Sequence, residues 1–108
     1  MNDALLALYR TVCDRKEHPT EGSYTCYLFD KGIDKILKKC GEECSEVIIA
    51  AKNNSKEETV YEVADLLYHL MVLLVNQQIP IEDVLAELDK RSAKTGNLKK
   101  FHQVDKNS

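Results

Sequence analysis

Two pairs of carboxylates dominate the chemistry this sequence could perform. Glu43 and Glu46 stand three residues apart, 15 residues follow, and Glu62 and Asp65 are again three apart. Helical positions three or four apart are neighbours, so each pair presents two carboxylates side by side. Four hard oxygen donors suit Mg²⁺, with Mn²⁺ as the alternative, better than zinc, which favours nitrogen and sulfur ligands. His69 lies one turn beyond Asp65. It is read either as a partner that orients that carboxylate or hydrogen-bonds a substrate, or as a satisfied core histidine.

The elements that position these groups are helices. The first is expected after Asp3 as N-cap, with Leu5, Leu8, Tyr9 and Val12 at helical spacing, ending near Glu17 before Pro19. A polar, irregular loop is expected from His18 to Phe29. The second helix runs from after Asp30 to about Asn53, with Ile33, Ile36, Leu37, Cys40, Cys44, Val47, Ile48 and Ala51 as its apolar stripe. At about 100° per residue, the stripe centres on Ile33, Cys40, Cys44 and Ala51. Glu43 then falls at its edge with Glu46 beside it, while Glu42 turns away as an outer or substrate-side contact. Lys39 shares the side of Glu43 and Glu46.

The third helix opens at Ser55, where Glu58 completes a capping box, and continues to about Gln77. From Val63 to Val75 it is apolar nearly all round, apart from the stripe Glu62, Asp65 and His69. A carboxylate in such surroundings is costly unless paired or bound to metal. The competing explanation is salt bridging to Lys35, Lys38, Lys39 or Arg91. For the second helix alone, a solvated acidic face competes equally with a site. The fourth helix begins around Pro80, carries Val84, Leu85 and Leu88, and stops at Gly96. The tail from about residue 97, with Leu98, Phe101 and Val104, reads as flexible or as docking on a partner.

At 108 residues the chain is expected to be one domain, spanning 1–108. Four glycines and two prolines leave little material for a turn-rich β fold, so an all-α bundle of four to five helices is expected. The formal charge of −3 provides no basic footprint and argues against nucleic-acid binding. No basic region followed by an apolar run opens the chain, and the longest apolar stretch is too short for a bilayer, so no membrane association and a cytoplasmic location are expected. Cys13, Cys26, Cys40 and Cys44 form no CxxC pair and are read as buried free thiols.

The pattern Glu43-Cys-Ser-Glu46 … Glu62-Val-Ala-Asp65 resembles the ExxE…ExxD signature of the all-α, MazG-like nucleotide pyrophosphohydrolases. The runs Ser23-Tyr24-Thr25, Leu28-Phe29-Asp30-Lys31-Gly32 and Lys38-Lys39-Cys40-Gly41-Glu42-Glu43 are similar to the phosphoribosyl-ATP pyrophosphatase family. So is Glu62-Val-Ala-Asp65-Leu-Leu-Tyr-His69, and the likeness extends from about Leu5 to Arg91. The resemblance implies hydrolysis of phosphoribosyl-ATP to phosphoribosyl-AMP and pyrophosphate, the second step of histidine biosynthesis. It implies Glu43, Glu46, Glu62 and Asp65 as catalytic, Mg²⁺-holding residues. It adds Ser23, Tyr24 and Thr25 to Lys39, Glu42 and His69 as substrate contacts, and a homodimer or higher homo-oligomer. A chain this short leaves no room for the cyclohydrolase to which some members are fused. Two rivals stand beside this reading: a sister enzyme acting on other nucleoside triphosphates, and a non-catalytic helical bundle that binds a metal or a partner helix.

Overall fold

The computed structural model describes residues 4–93. They form five helices: α1 (Ala4–Glu17), α2 (Tyr24–Lys31), α3 (Ile33–Lys52), α4 (Lys56–Asn76) and α5 (Ile81–Ala93). No strand occurs among the described residues, so the expected all-α bundle is what forms. The Asp3 cap, the Gly96 stop and the tail carrying Leu98, Phe101 and Val104 lie outside the described residues.

The frame is the α3–α4 hairpin, whose helices pack along each other more extensively than any other pair. Its three-residue connection works because Asn54 adopts φ 60°, a left-handed conformation that asparagine tolerates well. Ser55 then caps α4, its side chain accepting the Glu58 N–H at 3.1 Å. The helix α1 lies against α4, and α2 touches α1, α3 and α4. The Tyr9 hydroxyl ties α1 to the α4–α5 connection by donating to the Ile79 carbonyl at 2.8 Å.

The core gathers one residue from each of α1, α2, α3 and α5 and three from α4: Val12, Leu28, Ile36, Ile81, and Met71, Val72 and Val75. Fully burying side chains of this size stabilises by about 1.5–3 kcal/mol each. Along α3 the buried positions are Ile36, Glu43 and Ala50, seven residues apart. This displaces the apolar stripe read from the sequence. Ile33, Leu37 and Ile48 are exposed, and Glu43 sits in the middle of the buried line instead of at its edge. The apolar surface of α3 is wider than one chain covers, so its sequence centre and its packed centre differ.

Two further expectations are corrected. The loop expected from His18 to Phe29 ends at Ser23, and from Tyr24 the chain is helical. Ser23 accepts the Cys26 N–H at 3.2 Å and so supplies the N-cap. Gly32, at φ 92°, breaks α2 from α3 while its N–H still bonds the Leu28 carbonyl at 3.0 Å. The helix escaped pattern reading because it is eight residues long and buries fully only Leu28. All four cysteines are free, but Cys44 is exposed and the other three are only partly buried.

Candidate metal and nucleotide site

The four carboxylates of the two sequence pairs meet between α3 and α4. Ligand atoms of Glu43, Glu46 and Glu62 all lie within 4.8 Å of one another, and so do those of Glu43, Asp65 and His69. Glu43 belongs to both groups. It is also the most enclosed of the carboxylates, only 4% exposed, whereas Glu62 and Asp65 are half-buried and Glu46 is exposed.

Such crowding has an electrostatic consequence. Burial, reinforced by the neighbouring Asp65 and Glu46 carboxylates, pushes the Glu43 carboxyl above its ordinary value. The Glu62 carboxyl is pushed up as well, by desolvation and then by Glu46 and Glu43. Each has a buried oxygen, Glu43 Oε1 and Glu62 Oε1, with no hydrogen-bond partner within the protein. Orphaned carboxylate oxygens beside like charges are unfavourable unless something positive joins them. The donor set therefore fits a hard divalent cation.

Protein cations answer only part of this charge. Lys39 Nζ lies 3.4 Å from Glu42 Oε1 and 3.6 Å from Glu43 Oε2. Burial works to lower the Lys39 pKa, but Tyr24, Glu42 and Glu43 override it and hold the ammonium above its usual value. Glu42 points outward, as expected, and also sits 4.0 Å from Lys38.

His69 is 2% exposed and its hydrogen bonds are spoken for. Its Nδ1 faces the Asp65 carbonyl at 2.8 Å, so the proton sits there and is donated. In the neutral ring, Nε2 then accepts from the Tyr24 hydroxyl at 3.1 Å. Asp65 Oδ1 also stands 3.6 Å from Nδ1. His69 is thus a satisfied core histidine that stands beside the Asp65 carboxylate.

The Ser23–Thr25 run divides. Ser23 is occupied as the α2 cap, Tyr24 reaches the acidic cluster through His69, and the Thr25 hydroxyl is hydrogen-bonded to the Tyr68 hydroxyl.

Comparison with known proteins bears on what this arrangement is for. The family model described as phosphoribosyl-ATP pyrophosphohydrolase matches residues 5–92. A phosphoribosyl-ATP pyrophosphatase of Clostridium novyi is 54% identical over 97 residues, covering 90% of this chain and 88% of the relative. One from Bacillus mycoides is 51% identical over 105 residues, covering 97% and 98%. The chain belongs to the phosphoribosyl-ATP pyrophosphohydrolase family. A histidine biosynthesis bifunctional protein of Caldanaerobacter subterraneus is 60% identical over 92 residues, 85% of this chain but 45% of that protein. In this family member, no helix among the described residues is long and apolar enough to cross a membrane.

Pattern reading missed the aromatic cluster beside the site. Tyr24 stacks on Tyr27 at 6.0 Å between ring centroids, and Tyr68 meets the His69 ring edge-on at 4.9 Å. Desolvation raises the pKa of Tyr24 and of Tyr68, which favours the protonated hydroxyl in both. Their alignment depends on α2 being helical, where the sequence leads one to expect a loop.

Proposed function

We propose that this chain hydrolyses phosphoribosyl-ATP to phosphoribosyl-AMP and pyrophosphate, the second step of histidine biosynthesis, at the carboxylate cluster between α3 and α4. The observation that carries the reading is the pair of orphaned oxygens, Glu43 Oε1 and Glu62 Oε1, inside a four-carboxylate cluster of a chain from this family.

Glu43, Glu46, Glu62 and Asp65 would hold Mg²⁺. When bound, Mg²⁺ supplies positive charge against the phosphate oxygens, which phosphoanhydride hydrolysis requires. The chain's own residues do the rest of the positioning. Glu46 is exposed and Asp65 half-exposed, so the cluster opens on one side to an incoming triphosphate. Lys39 adds an ammonium on the side of Glu42 and Glu43. His69 keeps its proton on Nδ1 against the Asp65 carbonyl and links that turn of α4 to Tyr24 on α2. We assign the assembly as a homodimer or higher homo-oligomer, since Ile48 and Tyr61, on α3 and α4, are 67% and 68% exposed in the single chain.

The test is pyrophosphate release from phosphoribosyl-ATP with Mg²⁺, alongside ATP and dUTP. Glu43→Gln and Asp65→Asn should each lower kcat/KM by about 100-fold or more if both carboxylates bind the ion. Folded variants that turn over at the wild-type rate would overturn the assignment.

A further inference from the structure

A cleft of about 820 Å³ lies between the C-terminal end of α1, the 18–23 connection and α2, and none of the four carboxylates lines it. Its volume falls in the range of small-molecule sites. Its wall carries two cations, Arg15 and Lys16, two carboxylates, Glu21 and Asp30, and the tyrosines Tyr24 and Tyr27. Lys16 Nζ rests 5.0 Å from the centre of the Phe29 ring. The Arg15 guanidinium is 3.2 Å from Asp14, its neighbour in sequence, in an exposed contact of little energetic weight. Gly22 and Ser23 place the positive end of the α2 dipole along the same wall.

This balance of charge suits a particular kind of ligand. A triphosphate would meet as many carboxylates as cations. A phosphorylated sugar uses both, because its phosphate takes Arg15 and Lys16 while its hydroxyls donate to carboxylates. The cleft is also joined to the acidic cluster by one residue. Tyr24 lines the cleft, and its hydroxyl is 3.1 Å from His69 Nε2, whose ring has a nitrogen within 4.8 Å of carboxylate oxygens of Glu43 and Asp65.

We propose that this cleft is the subsite for the second, phosphorylated ribose of phosphoribosyl-ATP, the group that ATP lacks. The proposal rests on the function proposed above and makes Arg15 and Lys16 its specificity-determining residues. A nucleotide held by its triphosphate end at Glu43 and Asp65 extends past Tyr24, and its far phosphate meets the two cations.

Ribose 5-phosphate is the probe, added to the isotope-labelled full chain without metal and followed by amide chemical shifts. The expected footprint falls on residues 15–30, with inorganic phosphate binding about tenfold more weakly because it lacks the hydroxyls. The double variant Arg15→Gln/Lys16→Gln should lose that footprint. Its KM for phosphoribosyl-ATP should rise about tenfold with kcat little changed, and its selectivity over ATP should fall by a similar factor. A footprint on α3 and α4, no footprint at all, or an unchanged KM in the folded double variant overturns the subsite. If that variant does not fold, the wild-type footprint decides. If the wild-type chain releases no pyrophosphate from phosphoribosyl-ATP, the proposed function falls, and the footprint alone then decides whether the cleft takes a sugar phosphate.

Discussion

Glu43 pairs a buried position with an unpartnered oxygen, a combination that ordinarily counts against stability. Its carboxyl and that of Glu62 titrate above the ordinary value of 4.5, so between that value and the raised ones the folded chain holds more protons than the unfolded chain. Stability must then fall as pH rises through this window, and the penalty persists at neutral pH. A divalent cation removes it by binding the ionised form. In EDTA at neutral pH, Glu43→Gln should therefore be more stable than the wild type by about 1 kcal/mol, a replacement of buried charge by a neutral isostere. Added Mg²⁺ should raise the wild-type melting temperature and leave that of the variant nearly unmoved. Thermal scans of both proteins with and without Mg²⁺ check this, and a variant that is both less stable in EDTA and still responsive to Mg²⁺ contradicts it. Ordinary surface glutamates do not behave this way, which separates the cluster from a solvated acidic face.

Among the elements, α2 has the least support of its own and the most consequence for the site. Eight residues are too few for a self-sustaining helix. Ser23 at one end and Gly32 at the other define it, and its packing comes from Leu28 together with the Tyr24 and Thr25 contacts to α4. Ser23→Ala removes the cap and should cost about 1 kcal/mol. Gly32→Ala meets open space but forces a β-carbon onto φ 92°, which should cost about 1–2 kcal/mol. Urea denaturation measures both, and no shift in midpoint for Gly32→Ala would show that the break between α2 and α3 relaxes freely. Residues 18–23 form the first half of the expected loop, and the helix that follows carries neither a capping box nor a repeating apolar stripe to mark it in the sequence. The long helices α3 and α4, with many apolar repeats and a strong Ser55 cap, were legible to within a few residues.

For the molecule as a whole, the exposed apolar surface of α3 and α4 is the outstanding feature. Leu37, Ile48, Ile49, Val60, Tyr61, Val63 and Leu67 all lie exposed in the single chain. Exposed apolar side chains in this number on two packed helices point to an interaction face. Ile48→Glu and Tyr61→Glu should shift the solution mass measured by light scattering toward that of the monomer, and an unchanged mass would place the assembly contact elsewhere. The same surface explains how far pattern reading reaches. Residue type and a fixed 3.6-residue repeat are enough to show that the chain is helical, that α3 and α4 carry two carboxylate pairs, and that the pair on α4 interrupts an apolar helix. Which apolar residues are covered, the place of Glu43 at the centre of the packed face, the two fixed partners of His69 and the existence of α2 emerge with the packing of the helices. The reason is physical: periodicity states what a helix offers, whereas burial and hydrogen-bond partners depend on which neighbour arrives and how much of that offer it takes.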